Sequence, residues 1–417
     1  MNCEVQSTET NYKNMPPEQK THITHRRNLA LFLIGLKTLP SVFNTIPIYA
    51  TRLRQLFSLN AEQYGTLIGT GTFGRIPALL MVGPLVAYFG VRRVVEFAII
   101  GVGFTFLTIG ILGNLTSFQI AMPSQGFFSG ISIIAFPAFL ISLYPALKRR
   151  MVSVMLVASA APGILTPLMA NELLKWSAQR DNIDFSAVLR LPFLVAGSLL
   201  ILGGMILLSR KNLAFQTEIE KPHPIHLTEL LRPRSLIIVL LISLHTAADG
   251  TLYFFVPMFM EHHFDHLPIA AAWALSGHNI AYVLSRSSLS ALPEGVGQRS
   301  ILSLAGPIGG IIIILTLWFG PAVSVPLLYA LASLAFAAEF PALISEISSK
   351  SMAEFGSIMS GGMIISSLVM FVFLKGTGYI VDLTNDYRFA LTIAACGFII
   401  FGLLATLSGL GIRIKST

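Results

Sequence analysis

Three basic side chains stand inside long apolar stretches of the sequence, where an unpaired charge is costly. Lys37, Arg75 and Arg286 each lie well within such a stretch, and Arg75 has twelve uncharged residues before it and sixteen after it. A charge at the centre of a bilayer costs on the order of 3 kcal/mol unless it faces a partner or a watery cavity. A guanidinium carries five N–H donors that suit carboxylate, nitrate or phosphate oxygens. These cations therefore predict an anion-binding site, although Arg75 could instead be a structural arginine that bonds helix ends or snorkels to the interface.

Acidic and imidazole side chains accompany these cations in the apolar stretches. His245 and Asp249 are four residues apart, and Glu339 stands within the segment FAAEFPAL. A carboxyl or imidazole group that meets the two sides of a membrane in turn can carry a proton between them. Asp249 and Glu339 are therefore predicted proton-coupling residues, although each could instead neutralise a neighbouring cation.

A third group of polar residues recurs at helical spacing. His278, Tyr282 and Arg286 follow one another at intervals of four, which places them on one face of a helix. Such a stripe could form one wall of a solute site. The predicted solute-binding residues are Lys37, Arg75, His245, Arg286, His278, Tyr282 and Asn44.

Apolar segments long enough to cross a bilayer must position these residues. Hydrophobic residues make up 54% of the 417, charged residues 12%, and the mean hydropathy is +0.73, too apolar for a soluble protein of this length. About 20 apolar residues cross a bilayer as a helix, and the segments lack the alternation of a β-barrel. The sequence predicts an all-α polytopic membrane protein with twelve transmembrane helices. These predicted spans are 28–50, 62–89, 94–113, 117–147, 151–174, 188–209, 235–259, 268–292, 300–319, 321–347, 355–381 and 388–411.

The basic residues are distributed unequally between the two sets of loops. Eighteen of the 28 Lys and Arg residues stand in the tails and even-numbered loops, at most seven in the odd-numbered loops, and three within spans. Loops rich in Lys and Arg stay cytoplasmic, so both termini are predicted to be cytoplasmic. The polar first 27 residues show no signal peptide, and compact loops favour a bacterial inner membrane. Topology thus explains the net charge of +8 without a nucleic-acid partner.

The two halves of the sequence echo each other at a spacing of about 200 residues. GLKTLPSVFNTIPIY resembles SLHTAADGTLYFFVPMF, AFPAFLIS resembles EFPALIS, and SVM matches SIM, all in the same order. This pattern indicates two pseudo-symmetric six-helix bundles. The predicted division is a disordered cytoplasmic tail at 1–27, an N-terminal bundle at 28–209, a cytoplasmic linker at 210–234, a C-terminal bundle at 235–411 and a cytoplasmic tail at 412–417.

Twelve spans, two halves, a polar linker and a short basic turn after the second helix resemble the major facilitator superfamily. The turn GPLVAYFGVRR keeps four positions of the family's gating motif, Gly83, Gly90, Arg92 and Arg93, whereas Ala87 and Tyr88 replace its aspartate and arginine. The resemblance implies a secondary transporter that alternates access by rocking its bundles. The intramembrane arginines are similar, more loosely, to those of nitrate/nitrite, cyanate and monocarboxylate porters.

The sequence therefore predicts a monomeric secondary transporter of a small anionic solute, an organic acid or oxyanion, coupled to protons and without a cofactor. A drug, cation or metal exporter that uses Asp249 and Glu339 is an alternative within the family. A non-transporting membrane sensor or scaffold would need an output domain, which the sequence does not show. No ATP-binding or hydrolase motif indicates an enzyme.

The segment EHHFDH is the one stretch that could hold a metal. His262 and His266 are four residues apart, a spacing that lets two imidazoles chelate a divalent ion if the segment is helical. A solvated interfacial loop is the simpler interpretation, so no metal site is predicted.

Overall fold

The structure is a computed structural model that describes residues 17–144, 155, 157–179, 184–209, 230–264, 268–291, 298–348 and 352–410. The linker predicted at 210–234 lies outside the described residues up to 229, and so do the basic cluster at 148–150 and the predicted tail at 412–417. The described part of the chain is helical throughout and has no strand. The predicted all-α class is therefore confirmed.

The first transmembrane helix, α1, is longer and less regular than predicted. It begins at Pro17, because proline fits the first position of a helix, so residues 17–27 are helical and do not belong to a disordered tail. Its first part, Pro17–Thr38, continues through a 3-10 turn at Leu39–Thr45 and a second part at Ala50–Phe57. The two parts bend by 61°. The bend puts Asn44 in the irregular turn.

Five further helices complete the N-terminal half. They are α2 (Ala61–Phe89), α3 (Val91–Leu112), α4 (Leu115–Leu143), α5 (Pro162–Ala178) and α6 (Phe185–Ser209). Asn60 and Asn114 begin α2 and α4 with capping boxes, in which the asparagine side chain accepts a hydrogen bond from the backbone N–H three residues later. Gly90 ends α2 and starts α3 with φ +80°, a conformation that favours glycine.

The C-terminal half repeats this arrangement with two local irregularities. Its helices are α7 (Pro233–His263), α8 (Pro268–Ala291), α9 (Gln298–Phe319), α10 (Val325–Phe336 and Glu339–Ser348), α11 (Met352–Thr384) and α12 (Tyr387–Leu407). A π-helical turn at Ile301–Ala305 interrupts α9, and α10 breaks just before Glu339. Such π turns inside helices are frequent at functional sites.

Nine helices among the described residues are long and apolar enough to cross a membrane, and the bent α1 makes ten. The helices α5 and α8 complete the twelve. Leucine and methionine side chains that would be buried in a soluble protein stay half exposed on the outer surface, for example Leu199, Leu202 and Met205 on α6. A lipid-facing surface requires this pattern.

Helix packing follows the predicted duplication. In the N-terminal bundle α2 packs on α4, and α3 packs on α4 and α6; in the C-terminal bundle α8 packs on α10, and α9 packs on α10 and α12. Each pair thus has a counterpart six helices later. The pairs α2–α11 and α5–α8 join the two bundles. We call the side that holds the start of α1 and the end of α12 the terminal side, and the opposite side the distal side.

Candidate functional site

The distal halves of α2 and α11 form a tight seal between the bundles. A Cβ atom at Gly65 would overlap the backbone carbonyl of Leu374, so only glycine allows this approach. The hydroxyl of Thr72 donates to the carbonyl of Ser367 over 2.8 Å, and both residues are buried. We call this contact zone, from Ala61 to Phe73 on α2, the distal seal. The two bundles are therefore in direct contact on the distal side.

Polar contacts reinforce the outer edge of the distal seal. The Asp382 carboxylate of α11 accepts hydrogen bonds from the first backbone N–H groups of α2, at Ala61 (2.9 Å) and Glu62 (2.8 Å). Lys375 Nζ lies 3.5 Å from Glu62 Oε1. These contacts involve the positive end of the α2 dipole, which favours a carboxylate.

Arg75 lies three residues beyond the last hydrogen bond of the distal seal, on the terminal side of it. Its helix packs closely on α4, because a Cβ at Gly74 would overlap the carbonyl of Pro123 and a Cβ at Gly126 would overlap the carbonyl of Gly71. The Arg75 side chain lies against Gly130 of α4, and Arg75 as a whole is partly exposed. Its Nε atom, however, is buried without a hydrogen-bond partner. The guanidinium is therefore held in position by packing and not by an acceptor.

Lys37 approaches the same stretch of α4 from α1. Its Nζ donates to Ser132 Oγ over 3.0 Å and lies 5.5 Å from the ring centre of Phe136. Gly130 and Ser132 are less than one helical turn apart, so Lys37 and Arg75 meet α4 at a similar depth. Within the described part of the chain, neither cation forms an ion pair with a carboxylate. The N-terminal bundle thus presents two uncompensated charges.

The polar residues of the C-terminal bundle converge on Asp249. The Arg286 guanidinium lies over the Tyr282 ring at 4.7 Å and is close enough for its charge to act on Asp249 and on both intramembrane histidines. His278 Nε2 is 3.8 Å from Asp249 Oδ1. The predicted stripe His278, Tyr282 and Arg286 therefore does form one polar face of α8, and Asp249 of α7 lies against it.

The hydrogen bonds around His278 define where its proton lies. The Ser333 hydroxyl donates to the carbonyl of Tyr329 over 2.8 Å, so its oxygen accepts from His278 Nδ1 at 2.9 Å. In a neutral His278 the Nε2 lone pair then faces the Asp249 carboxylate, which is repulsive. A proton on either group makes the contact attractive. At 3.8 Å the two groups are too far apart for a hydrogen bond but close enough for the charge of one to act on the other.

Several buried polar atoms around Asp249 lack partners. The His278 ring is surrounded by the rings of Tyr253, Tyr282 and Tyr329, at centroid distances between 4.5 and 5.4 Å. All three tyrosines are close enough to Asp249 for the charge of its carboxylate to act on their hydroxyls. Their three hydroxyls and Asp249 Oδ1 form no hydrogen bond of normal geometry, although Tyr282 lies beside the carboxylate and Tyr253 lies beside Asn279. Buried polar groups are rarely left unpaired unless a functional group completes them. Asp249 itself keeps 22% of its side chain exposed.

His245 and Glu339 form a separate, enclosed pair. His245 Nδ1 lies 2.8 Å from Glu339 Oε2, and the two side chains are 5% and 0% exposed. Four phenylalanine rings surround the imidazole: Phe336, Phe340, Phe398 and Phe401. This geometry argues against direct solute binding by His245, which the sequence predicted. The reason is that Glu339, which lies directly after the break in α10, forms a hydrogen bond with the imidazole of His245.

Asn44 meets residues that sequence reasoning missed. A Cβ atom at Gly163 of α5 would lie 2.5 Å from Asn279 Oδ1 and 3.0 Å from Asn44 Nδ2. The irregular turn of α1, the start of α5 and the middle of α8 therefore converge, with Ser276 Oγ donating to the Ile164 carbonyl nearby over 2.7 Å. One signal in the sequence could have identified this region. Most spans are uniformly apolar, such as FTFLTIGIL in α3, whereas α8 contains the polar run Ser–Gly–His–Asn at 276–279.

The predicted gating motif lies at the turn between α2 and α3. Arg92 Nε pairs with Glu96 at 2.8 Å and its Nη2 donates to the Leu207 carbonyl of α6 over 2.7 Å, while Arg93 is exposed. Gly83 lies partly buried in the last turns of α2. These contacts of Arg92 stay within the N-terminal bundle. Glu96, buried at 3% exposure, was not singled out in the sequence.

Two further features lie on the distal side. Helix α7 ends at His263, so His262 is in its last turn, whereas His266 lies outside the described residues. The paired imidazoles that the sequence allowed therefore lie only partly within the described residues. A cavity of about 510 Å³ opens beside the distal seal, lined by Leu59, Asn60, Glu62, Gln63, Thr66, Leu67, Thr70, Leu115 and Gln119. None of these lining residues was a predicted site residue.

A duplicated six-helix bundle, with charges at mid-span and a seal on one side, is the architecture of an alternating-access membrane transporter. The chain belongs to the Major Facilitator Superfamily, whose family model matches residues 31–360. The family consists of transporters and not of enzymes, in agreement with the prediction. No curated protein matches the chain by sequence.

Solved structures with the same fold cover almost the whole chain. A bacterial homologue of the human lysosomal transporter Spinster, in an inward-facing and occupied conformation, aligns with a TM-score of 0.69, 14% identity, 94% of this chain and 99% of its own. The Escherichia coli fucose:proton symporter FucP aligns with a TM-score of 0.62, 14% identity, 90% of this chain and 97% of its own. At these identities the likeness establishes the shared fold.

Proposed function

We propose that this transporter moves a small anionic solute, an organic acid or an oxyanion, and couples the movement to protons. The solute would bind between the bundles, with Lys37 and Arg75 on one side and Arg286 on the other. Rocking of the bundles about this point would expose it to each side of the membrane in turn. Both termini would be cytoplasmic and the membrane a bacterial inner membrane, as the distribution of basic residues favours.

The observation that carries this proposal is the unsatisfied cationic pair of the N-terminal bundle. Arg75 Nε is buried without a partner, Lys37 has one neutral hydroxyl for its three donors, and neither meets a carboxylate among the described residues. Partly buried cations without counter-charges are costly, so a ligand that supplies the negative charge is favoured at this place. Structural arginines, in contrast, are usually capped by acceptors.

Proton coupling is assigned to Asp249 with His278 as its partner. The contact between Asp249 Oδ1 and His278 Nε2 is favourable only when one of them is protonated, and Asp249 is partly exposed while His278 is buried. A carboxyl that changes charge next to Arg286 would alter the positive field that the anion experiences. Glu339, the other predicted proton carrier, would act through His245 inside the bundle.

With the terminal side in the cytoplasm, the distal seal makes this conformation closed to the outside. A cation or drug exporter built on Asp249 and Glu339 fits less well, because Glu339 is enclosed behind phenylalanine rings and Asp249 shares its surroundings with Arg286.

Thermal stabilisation of the purified protein by anions tests this proposal. Nitrate, phosphate and a series of carboxylates should include at least one anion that raises the melting temperature, since a ligand that binds only the folded state stabilises it. Arg75→Ala should weaken that binding about tenfold or more, because a charge-assisted hydrogen bond contributes about 1.5–3 kcal/mol. Arg52→Ala, at an exposed distal position, is the matched control. Equal binding by the native protein and Arg75→Ala would refute the site.

A further inference from the structure

The two bundles present different recognition chemistry to the space between them. The N-terminal bundle offers the cationic donors Lys37 and Arg75, which meet α4 at a similar depth. The C-terminal bundle offers a cationic donor as well, Arg286, whose Nε is buried without a hydrogen-bond partner, but beside it stand the acceptor Asp249 and a cluster of phenolic hydroxyls. A solute that satisfied only the first bundle would leave the second unsatisfied.

From this asymmetry we infer that the solute is a carboxylic acid that also carries a hydrogen-bond donor, a hydroxyl or an ammonium group. Its carboxylate binds toward Arg75 and Lys37, and its donor group binds toward Asp249 and the hydroxyls of Tyr253 and Tyr329. Asp249, Tyr253 and Tyr329 are then the residues that determine specificity. This inference rests on the proposed function, since it assumes that an anion binds there.

Three observations favour a donor-bearing acid over a simple anion such as nitrate. An ionised carboxylate accepts hydrogen bonds and cannot donate them, so in its deprotonated state Asp249 repels a simple anion and binds a donor. Tyr329 is 1% exposed and Tyr282 is 7% exposed, so their hydroxyls gain little from bulk water and need a partner that enters the cluster. The third is clustering: Asp249 and the three phenolic rings surround one imidazole, that of His278.

The aromatic surroundings restrict the size of the donor end. The rings of Tyr253, Tyr282 and Tyr329 pack around His278, and the Arg286 guanidinium covers Tyr282. The polar atoms of this cluster are the Asp249 carboxylate, the Arg286 guanidinium and the phenolic hydroxyls, three of which lack a hydrogen-bond partner. A long alkyl chain would therefore bury methylene groups against unpaired hydroxyls, which is unfavourable. The geometry fits a compact polar acid.

Matched acids that differ in the donor alone test this inference. Propionate, lactate and alanine share a three-carbon chain, and hexanoate and gluconate share a six-carbon chain. The purified full-length protein should bind lactate or alanine at least about tenfold more tightly than propionate, or gluconate more tightly than hexanoate, because a site built to bond a donor rejects the analogue that lacks it. A preference for lactate or gluconate indicates a hydroxyl, and a preference for alanine indicates an ammonium group.

Two substitutions locate the preference. Tyr329→Phe removes a hydroxyl without a partner, so the unliganded protein should remain folded, and the ratio of donor-bearing to plain acid should fall about threefold or more. Asp249→Asn keeps the shape and should reduce the ratio further. Tyr49→Phe removes an equally buried unpaired hydroxyl in the other bundle and should leave the ratio unchanged.

The possible failures are distinguishable. If propionate and hexanoate bind as tightly as their partners, or if both substitutions leave the ratio unchanged, this inference is wrong while the anion site stands. If inorganic anions bind and no carboxylate does, the inference is wrong in the same way. If no anion binds at all, the proposed function fails, and the inference fails with it.

Discussion

The carboxylate of Asp382 on α11 caps the first backbone N–H of α2, at Ala61, over 2.9 Å. One carboxylate thus fastens the C-terminal bundle to the helix that carries Arg75. The next N–H, at Glu62, donates to the same group over 2.8 Å. A carboxylate at a helix N-terminus is stabilising both as a cap and through the helix dipole. The distal seal therefore has these two hydrogen bonds to Asp382, which we call the polar lock, in addition to its close packing.

Breaking this lock should shift the protein toward a conformation open on the distal side. Asp382→Ala removes a cap that contributes about 0.5–2 kcal/mol, so the population of the distally open state should rise about two- to thirtyfold. Spin labels at Arg52→Cys and Val323→Cys, both exposed distal positions, report the separation of the bundles by double electron–electron resonance. The label experiment uses a background in which the two native cysteines are replaced by serine.

A neighbouring carboxylate provides the control for this shift. Asp386 accepts hydrogen bonds from the backbone and side chain of Arg388 at the start of its own helix. Partial burial raises the pKa of Asp386, but the hydrogen bonds from Arg388 lower it by more, so the group stays ionised near neutral pH. Asp386→Ala should leave the label distances unchanged. A similar shift for both variants would show that the seal does not depend on the cap of α2.

The close approach of α2 and α4 should make Gly74 intolerant of any side chain. A Cβ there would overlap the carbonyl of Pro123, which belongs to a neighbouring helix backbone. Overpacking of this kind typically costs about 1–3 kcal/mol, so Gly74→Ala should lower the melting temperature and displace Arg75. Gly35→Ala, on α1, has nothing within 4 Å of the added atom and serves as the matched control. Equal melting temperatures would contradict this packing.

The duplication explains why His245 and Lys37 have different surroundings. Lys37 lies over Phe136, and His245 stacks on Phe340, the corresponding residue of the repeated AFPAFLIS and EFPALIS segments. The N-terminal copy has Ala135 where the C-terminal copy has Glu339. In the C-terminal bundle Glu339 forms a hydrogen bond with the imidazole of His245, whereas in the N-terminal bundle Lys37 has only the Ser132 hydroxyl as a partner. The difference between alanine and glutamate at this one position therefore explains why His245 is paired with a carboxylate and Lys37 is not.

His245 and Glu339 should consequently be coupled in stability. Removing one partner leaves a buried polar group unsatisfied at a cost of about 1–3 kcal/mol, so His245→Phe and Glu339→Gln should each lower the melting temperature. The double variant should lose less than the sum of the two, with a coupling energy above about 0.5 kcal/mol in a double-mutant cycle. Strict additivity would mean that the pair is not a structural unit.

The sequence predicts the fold well and the site only in part. Apolar spans and internal repetition depend on chain-local patterns, so the two bundles, the spans and the mid-span cations could be predicted. The break in α1 and the capture of His245 by Glu339 depend on contacts between distant segments, which composition does not encode. Two of the three tyrosines around Asp249 were not predicted for a similar reason: Tyr253 and Tyr329 lie on different helices and look like ordinary membrane-helix residues until the fold brings them beside the predicted Tyr282.

Proton coupling should depend on His278, because its Nε2 is the group that faces Asp249 Oδ1 at 3.8 Å. The other charged or titratable groups near this contact are Arg286, His245, Glu339 and the three tyrosines. In proteoliposomes, His278→Gln should abolish the extra uptake that an imposed pH gradient drives, whereas exchange of the same acid across the membrane without a gradient should stay within about twofold of native. The acid used in this experiment is the one that raises the melting temperature of the native protein most. His263→Gln, at the exposed end of α7, should respond to the gradient like the native protein. If His278→Gln still concentrates the acid in response to the gradient, the proton is carried elsewhere, and Glu339 becomes the first residue to test.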